Sequence, residues 1–280
     1  MENNKKFKVS HLTAYIVLSV MAIIDVMPFV WMFLSSFKSR SEILSFPPTF
    51  FPLVWRFQNY ADAWVAGGLN FSVMFMNTMM IVIPGTFFTV MSSSLAAYGF
   101  ARIKFWGRET IFAAFLISMM IPDSVTIVPV FTIFRNLGWL DSLWPVLVPQ
   151  LFGFAFQIFL LRQFYMTIPQ DMEDAAVIDG CNRFKIWYKV IMPLSKPALT
   201  AAVIFTFQSS YNDFLRPLIF INDSRKFTVQ LGLNAFRGMY KTQYDLLMAA
   251  SVFTLVPVLI LYMFAQKYFV EGIVTTGIKG

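Results

Sequence analysis

The sequence predicts an all-α polytopic membrane protein with six transmembrane helices. Three observations predict it. Only 13% of the 280 residues are charged and 58% are hydrophobic, whereas a soluble domain carries about 25% charge. That shortfall cannot cover a water-facing surface. Six stretches reach or approach the ~20 apolar residues that a helix needs to cross a bilayer core. Lys and Arg gather in alternate loops, the bias that orients membrane helices. The same composition argues against a disordered chain, a coiled coil and an ordinary soluble enzyme.

The first apolar stretch is 12–34, with one internal charge, Asp25, and a kink expected at Pro28. Lys5, Lys6 and Lys8 precede it. The run is too long for a signal-peptide core of about 7–15 residues and ends in Trp31-Met32-Phe33 without small residues for cleavage. It reads as a retained helix. The second stretch lies within 71–100 and holds no charge. The third, 110–134, is interrupted by Pro122-Asp123 and Pro129. The fourth is 142–161, uncharged, with Pro145 and Pro149 near its start. The fifth begins at Pro197 and meets Asp213 and Arg216 before a full span is complete. The sixth is 246–266, also uncharged.

Orientation follows from the basic residues. The leader, the loop holding Arg102, Lys104 and Arg108, and the segment holding Arg162, Arg183, Lys185, Lys189 and Lys196 share one side. Both termini are therefore expected in the cytoplasm, with longer loops near 35–70 and 214–245 outside. The net charge of +7 is assigned to this bias, and no nucleic-acid partner is expected. The chain divides into 1–70 (tail, first helix, external loop), a five-helix core over 71–270 and a cytoplasmic tail over 271–280.

Catalytic and metal patterns are missing. His11 is the one histidine and Cys181 the one cysteine, so neither an internal disulfide nor a Cys–His metal framework is available. The tail Gly272-Ile-Val-Thr-Thr-Gly277-Ile278-Lys279-Gly280 fails as a phosphate-binding loop, because Ile278 separates the glycine from the lysine and Gly280 stands where Ser or Thr is needed. No enzyme activity, metal or cofactor is expected of this chain.

The informative segment is 169–197. Pro169 suits a first helical turn. Asp171, Glu173 and Asp174 complement the helix dipole. Gly180 can end that helix in the left-handed conformation. Asn182 can cap a second helix carrying Phe184, Trp187, Val190 and Ile191, with Arg183, Lys185 and Lys189 among them, until Pro193 stops it. An amphipathic loop on the headgroups is one reading. A protein dock is the other: the loop is long, its alanines permit close approach, and its acidic helix is repelled by anionic lipid.

Asp174-Ala175-Ala176, Gly180, Val190 and Met192-Pro193 resemble the EAA loop of ABC importer permeases, whose pattern is Glu-Ala-Ala, Gly, then Ile-x-Leu-Pro at the same spacing. Asp, Val and Met replace Glu, Ile and Leu; Glu173 beside Asp174 can share its role. The segment 211–218, Tyr-Asn-Asp-Phe-Leu-Arg-Pro-Leu, resembles Trp-Asn-Asp-Phe-Leu-Trp-Pro-Leu of carbohydrate-importer permeases. The tail 271–280 resembles that of MalG-like subunits. The resemblance spans the chain and implies a MetI-like ABC importer permease fold in a bacterial-type plasma membrane. It also implies partners: a MalF-like second permease subunit, two ATPase subunits that bind ATP and Mg, and an extracytoplasmic solute-binding protein. It implies ATPase docking by Glu173, Asp174, Ala175, Ala176, Asp179, Gly180, Arg183, Trp187 and Pro193, and by Gly277, Lys279 and Gly280 of the tail.

Intramembrane polar residues are candidates for the translocation path of a carbohydrate: Asn77, Asp123, Gln157, Gln208, Tyr211, Asn212 and Asp213. Interhelical hydrogen bonding is the competing role. Other solutes (glycerol phosphate, amino acids, peptides) stay open within the family. A secondary transporter would need paired midplane charges and inverted repeats, neither of which is evident.

Overall fold

A computed structural model describes the backbone of residues 2–65, 68–237 and 242–277, and side chains within 12–266 of these. The described residues are helical apart from turns and one bridge, Arg237–Thr242. Among the described residues four helices are long and apolar enough to cross a membrane, or up to six if each of two bent pairs counts as one span. The chain forms two compact units, 1–69 with 233–256, and 70–232 with 257–280. The start of the sixth helix groups with the N-terminal residues.

In the larger unit the organising element is Phe71–Arg102. Asn70 caps it by accepting from Ser72 N–H. One face is built of small residues (Gly85, Thr86, Thr89, Ser93, Ser94, Ala97), which let neighbouring backbones approach closely. Ala155–Met166 and Lys196–Tyr211 pack against this helix. At Gly153 a Cβ would lie 3.0 Å from Ser93 Oγ and 3.2 Å from Ser93 backbone. Any larger residue would push these two elements apart.

The other spans of this unit are broken. The third consists of Arg108–Ser118 and Asp123–Asn136, bent by 97°. Pro122 sits at the second helix's N-cap, where its missing N–H costs no helical bond. The fourth opens with Trp144–Leu147 and a 3-10 turn, Val148–Leu151, and becomes α-helical at Ala155–Met166. Pro145 and Pro149 account for the irregular half. The fifth, Lys196–Tyr211, is only 16 residues long and is followed by Leu215–Phe220. Its shortness matches the early entry of charge in the sequence.

In the smaller unit the first helix runs Glu2–Ser35, and of its apolar part only Leu34 and Ser35, at the very end, are buried. Below it Asn59 Nδ2 donates to the carbonyls of Ser36 and Lys38, each at 2.8 Å. Lys38 reaches Thr49 O and lies 4.5 Å over the Trp31 ring. Burial pulls the Lys38 pKa below its ordinary value. Ala63, Phe236, Ala249 and Ala250 form this unit's core.

The last helix, Tyr244–Gly277, continues into the first part of the tail. Extending an existing helix adds one hydrogen bond per residue fixed, without a new nucleus, so it absorbs the glycines. The contacts expected of Gly277, Lys279 and Gly280 lie outside the described side chains, and residues 278–280 outside the described backbone.

Candidate functional site

Two places in the larger unit collect the residues singled out above. The first is the segment after the fourth span. Asp171–Ile178 is a helix whose N-cap is Gln170, so Pro169 stands just before it rather than in its first turn. The helix ends as the glycine predicts. Gly180 has φ +79°, its N–H donates to Val177 O at 2.9 Å, and Cys181 N–H donates to Ala176 O at 2.9 Å. These are the paired bonds of a Schellman ending. Asn182 Oδ1 then accepts from Lys185 N–H at 2.9 Å and starts the second helix.

That helix runs Arg183–Ile186, widens into a π turn over Trp187–Ile191 and continues through Met192–Leu194. Pro193 therefore does not stop it. A proline lacks a donor and crowds the preceding turn, and the wider π turn just before it relieves that demand.

The inward face is a built anchor. Arg102 Nε pairs with Glu173 Oε1 at 2.7 Å, and both side chains are buried. Tyr98 OH donates to Glu173 Oε2 at 3.4 Å, and Arg183 approaches that oxygen at 4.0 Å. Arg102 also donates to the carbonyls of Tyr165 and Ile168 at the end of the fourth span. Trp187 Nε1 donates to Ser94 Oγ at 3.0 Å, and Ser94 pairs with Tyr165 OH at 2.6 Å. Ile186 and Ile191 are fully buried beside it.

This placement divides the expected docking set between two faces. Glu173, Ala176 and Trp187 face inward and hold the segment to the bundle. Asp174, Ala175, Asp179, Gly180, Arg183 and Pro193 are exposed. The outward face also carries Val177, Ile178, Phe184 and Tyr188, with Ile178 87% exposed and Phe184 62%. Sequence reasoning missed their direction. The 3.6-residue period did not carry that signal: three residues before Trp187 and seven before Ile191, Phe184 would share their face, and the π turn over Trp187–Ile191 departs from that period.

The second place is a cavity of about 490 Å³ between the broken third span, the fourth and the fifth. Its polar lining includes Asp123, Gln150, Gln157, Ser209, Ser210 and Arg216, and its apolar lining includes Phe154, Phe156 and Phe205. Gln157 Nε2 donates to Thr206 Oγ1 at 3.1 Å. Ser210 Oγ is buried and makes no hydrogen bond within the described structure. A smaller hollow of about 270 Å³ shares Asp123, Ser209 and Arg216 and adds Asp213.

Four expected path residues are elsewhere. Asn77 spends its amide on the carbonyls of Arg225 and Phe227, at 3.0 and 3.1 Å, which clamps the turn at Ser224–Lys226. Tyr211 is buried and touches neither of these two hollows. Asn212 accepts from Gln230 Nε2 at 3.1 Å. Gln208 is exposed and also lines neither. Conversely, Arg216 lines the cavity without having been expected there.

At the opposite end from Glu173, two loops are tied together. Asp141, at φ 55°, accepts the N–H groups of Asn222 and Asp223 at 3.0 and 2.8 Å. These bonds hold the Asp141 carboxyl below its ordinary pKa. Hydrogen bonds from the Arg225 side chain and backbone push Asp223 down to about 2.

Residues 89–274 match the family model described as "Binding-protein-dependent transport system inner membrane component". The chain is 33% identical to the arabinooligosaccharides transport system permease protein AraQ of Bacillus subtilis, covering all of both chains. It is 34% identical to the diacetylchitobiose uptake system permease protein NgcG of Streptomyces coelicolor, over 94% of this chain and 87% of that one. Its fold is similar to a chain in the crystal structure of a bacterial ABC transporter involved in the import of the acidic polysaccharide alginate. There the TM-score is 0.78 at 23% identity, over 94% of this chain and 97% of the other.

Proposed function

The chain belongs to the family of binding-protein-dependent transport system inner membrane components, and from that membership we propose that it is one half of the translocation pathway of an ATP-driven carbohydrate importer. A second permease subunit supplies the other half. A solute-binding protein delivers the sugar outside, and two ATPase subunits bind ATP and Mg inside. The chain itself performs no hydrolysis.

One observation carries the reading: the 171–194 segment is fixed to the bundle on one face by a buried ion pair and presents apolar and charged side chains on the other. Such a segment transmits force, because its inward face cannot slip while its outward face is free to bind. Asp174, Ala175, Asp179, Gly180 and Arg183 belong to the docking face in this reading. Glu173, Ala176 and Trp187 act through it as positioning residues. The tail residues Gly277, Lys279 and Gly280 are assigned to a secondary contact with the ATPase pair. A carbohydrate is supported by the relatives of arabinooligosaccharide transport and diacetylchitobiose uptake, which match over most or all of their length. The cavity lining of amides, hydroxyls and phenylalanine rings suits sugar hydroxyls and C–H faces.

The test is reconstitution of the four kinds of subunit in liposomes, with ATP-dependent uptake of a neutral oligosaccharide as the readout. Uptake that ignores ATP would sink the proposal. A Gly180→Val arm isolates the dock. No atom lies within 4 Å of a Cβ there, so the cost is the left-handed backbone, about 1–2 kcal/mol for a residue with a Cβ. The variant should insert normally and lose most of its solute-stimulated ATP hydrolysis. Retention of the wild-type rate at equal expression would remove Gly180 from the docking machinery.

Both termini are assigned to the cytoplasm, and 214–245 to the outside. Ser224→Cys in a Cys181→Ala background should react with a membrane-impermeant maleimide in intact cells. Reaction only after permeabilisation would invert the topology.

A further inference from the structure

We propose that the ion pair between Asp123 and Arg216 is the gate that divides the translocation path, an inference that rests on the importer reading above. Each partner sits where a span breaks. Asp123 is the first residue of the helix that follows the 97° bend in the third span. Arg216 lies in Leu215–Phe220, just after the fifth span ends at Tyr211. The pair therefore ties together the two most irregular spans at their discontinuities.

The geometry gives Arg216 a fixed root and a reaching arm. Asp213 holds the root: its Oδ1 accepts from Arg216 N–H at 3.2 Å, and its Oδ2 pairs with Nη1 at 3.3 Å. Nη2 reaches across to Asp123 Oδ2 at 3.0 Å. When the arm lets go, Arg216 keeps Asp213, so no cation is orphaned. Asp123, with its side chain 79% exposed, returns to water. Exposed pairs of this kind are cheap to open. Charges at this depth of a membrane protein face a water-filled path or another protein surface rather than lipid.

The pair also stands in the right place. Asp123, Arg216 and Ser209 are the residues that line both hollows. The larger one extends toward Gln157 and Thr206. The smaller extends toward Val130, Pro145 and Phe220, and Phe220 O accepts from Asp141 N–H at the loop-tied end. In the conformation described, the ion pair borders both hollows. Separating Asp123 from Arg216 joins the two hollows, and a rocking motion that shifts the third span against the fifth does that.

The test uses the complete complex in liposomes and reads ATP hydrolysis with and without solute. Asp123→Asn and Arg216→Gln should each raise solute-free hydrolysis by about twofold to fivefold, the population shift expected from losing one exposed ion pair. The exchanged double variant, Asp123→Arg with Arg216→Asp, should return it toward wild type. Single variants that match wild type, or a double variant as leaky as the singles, would overturn the gate. Should the exchanged protein misfold, Asp123→Cys with Arg216→Cys in the Cys181→Ala background replaces it. Bridging those thiols with a short reducible linker should arrest uptake, and reduction should restore it. Undiminished uptake by the bridged complex would overturn the gate as well. A wild-type complex without solute-stimulated hydrolysis overturns the importer reading itself. Stimulated hydrolysis that ignores this pair overturns the gate alone.

Discussion

Replacing Glu173 by alanine is expected to destabilise the protein by about 3–5 kcal/mol, the usual cost of removing one partner from a buried ion pair. The side chain is 2% exposed and Arg102 is 10% exposed, so the stranded guanidinium stays largely out of water. It retains the carbonyls of Tyr165 and Ile168, which places the loss toward the lower end. Glu173→Gln keeps the shape and removes the charge, and should lose a similar amount. Asp174→Asn is the control: that carboxylate is exposed, and surface changes of this kind fall within about 0.5 kcal/mol. The measurement is the thermal unfolding midpoint of the purified chain in detergent. Equal midpoints for the Glu173 and Asp174 variants would mean that the Arg102 pair does not anchor the segment.

Charging the outward face is expected to do the opposite: leave the fold and abolish the partner. Ile178→Glu with Phe184→Glu should weaken association with the ATPase subunit by at least about tenfold, since burying one large apolar side chain is worth ~1.5–3 kcal/mol and tenfold in affinity is ~1.4 kcal/mol. A carboxylate left in an apolar groove adds a desolvation penalty. Because both positions are exposed within this chain, the unfolding midpoint should barely move. Affinity is read by titrating purified ATPase subunit onto the immobilised permease pair. Unchanged affinity would assign the dock to another surface. Together the two experiments separate residues that hold the segment from residues that meet the partner.

The sequence by itself determined the membrane class, six apolar stretches and the turn chemistry of the 171–194 segment. These are local properties. A span needs a length of apolar residues, Gly180 needs no Cβ at φ +79°, and Asn182 needs only its own side chain to reach Lys185 N–H. Pro122 likewise announced where the third span breaks, because a missing donor acts within one turn, whereas Pro129, also expected to interrupt it, stands inside the helix Asp123–Asn136. Spacing also carried the family resemblance, and the family model covers residues 89–274.

Which way a side chain faces was decided by the tertiary structure. Glu173 and Asp174 are adjacent carboxylates in one helical turn, and nothing local separates them. What separates them is Arg102, 71 positions away, whose guanidinium meets Glu173 and leaves Asp174 to solvent. Asn77 reads as a pathway amide until the carbonyls of Arg225 and Phe227 claim both of its donor hydrogens. Arg216 reads as a charge that ends a span until Asp123 is found 3.0 Å from it. A charge buried or set in a cavity is stable only with a partner, and the fold, rather than the neighbouring residues, supplies that partner.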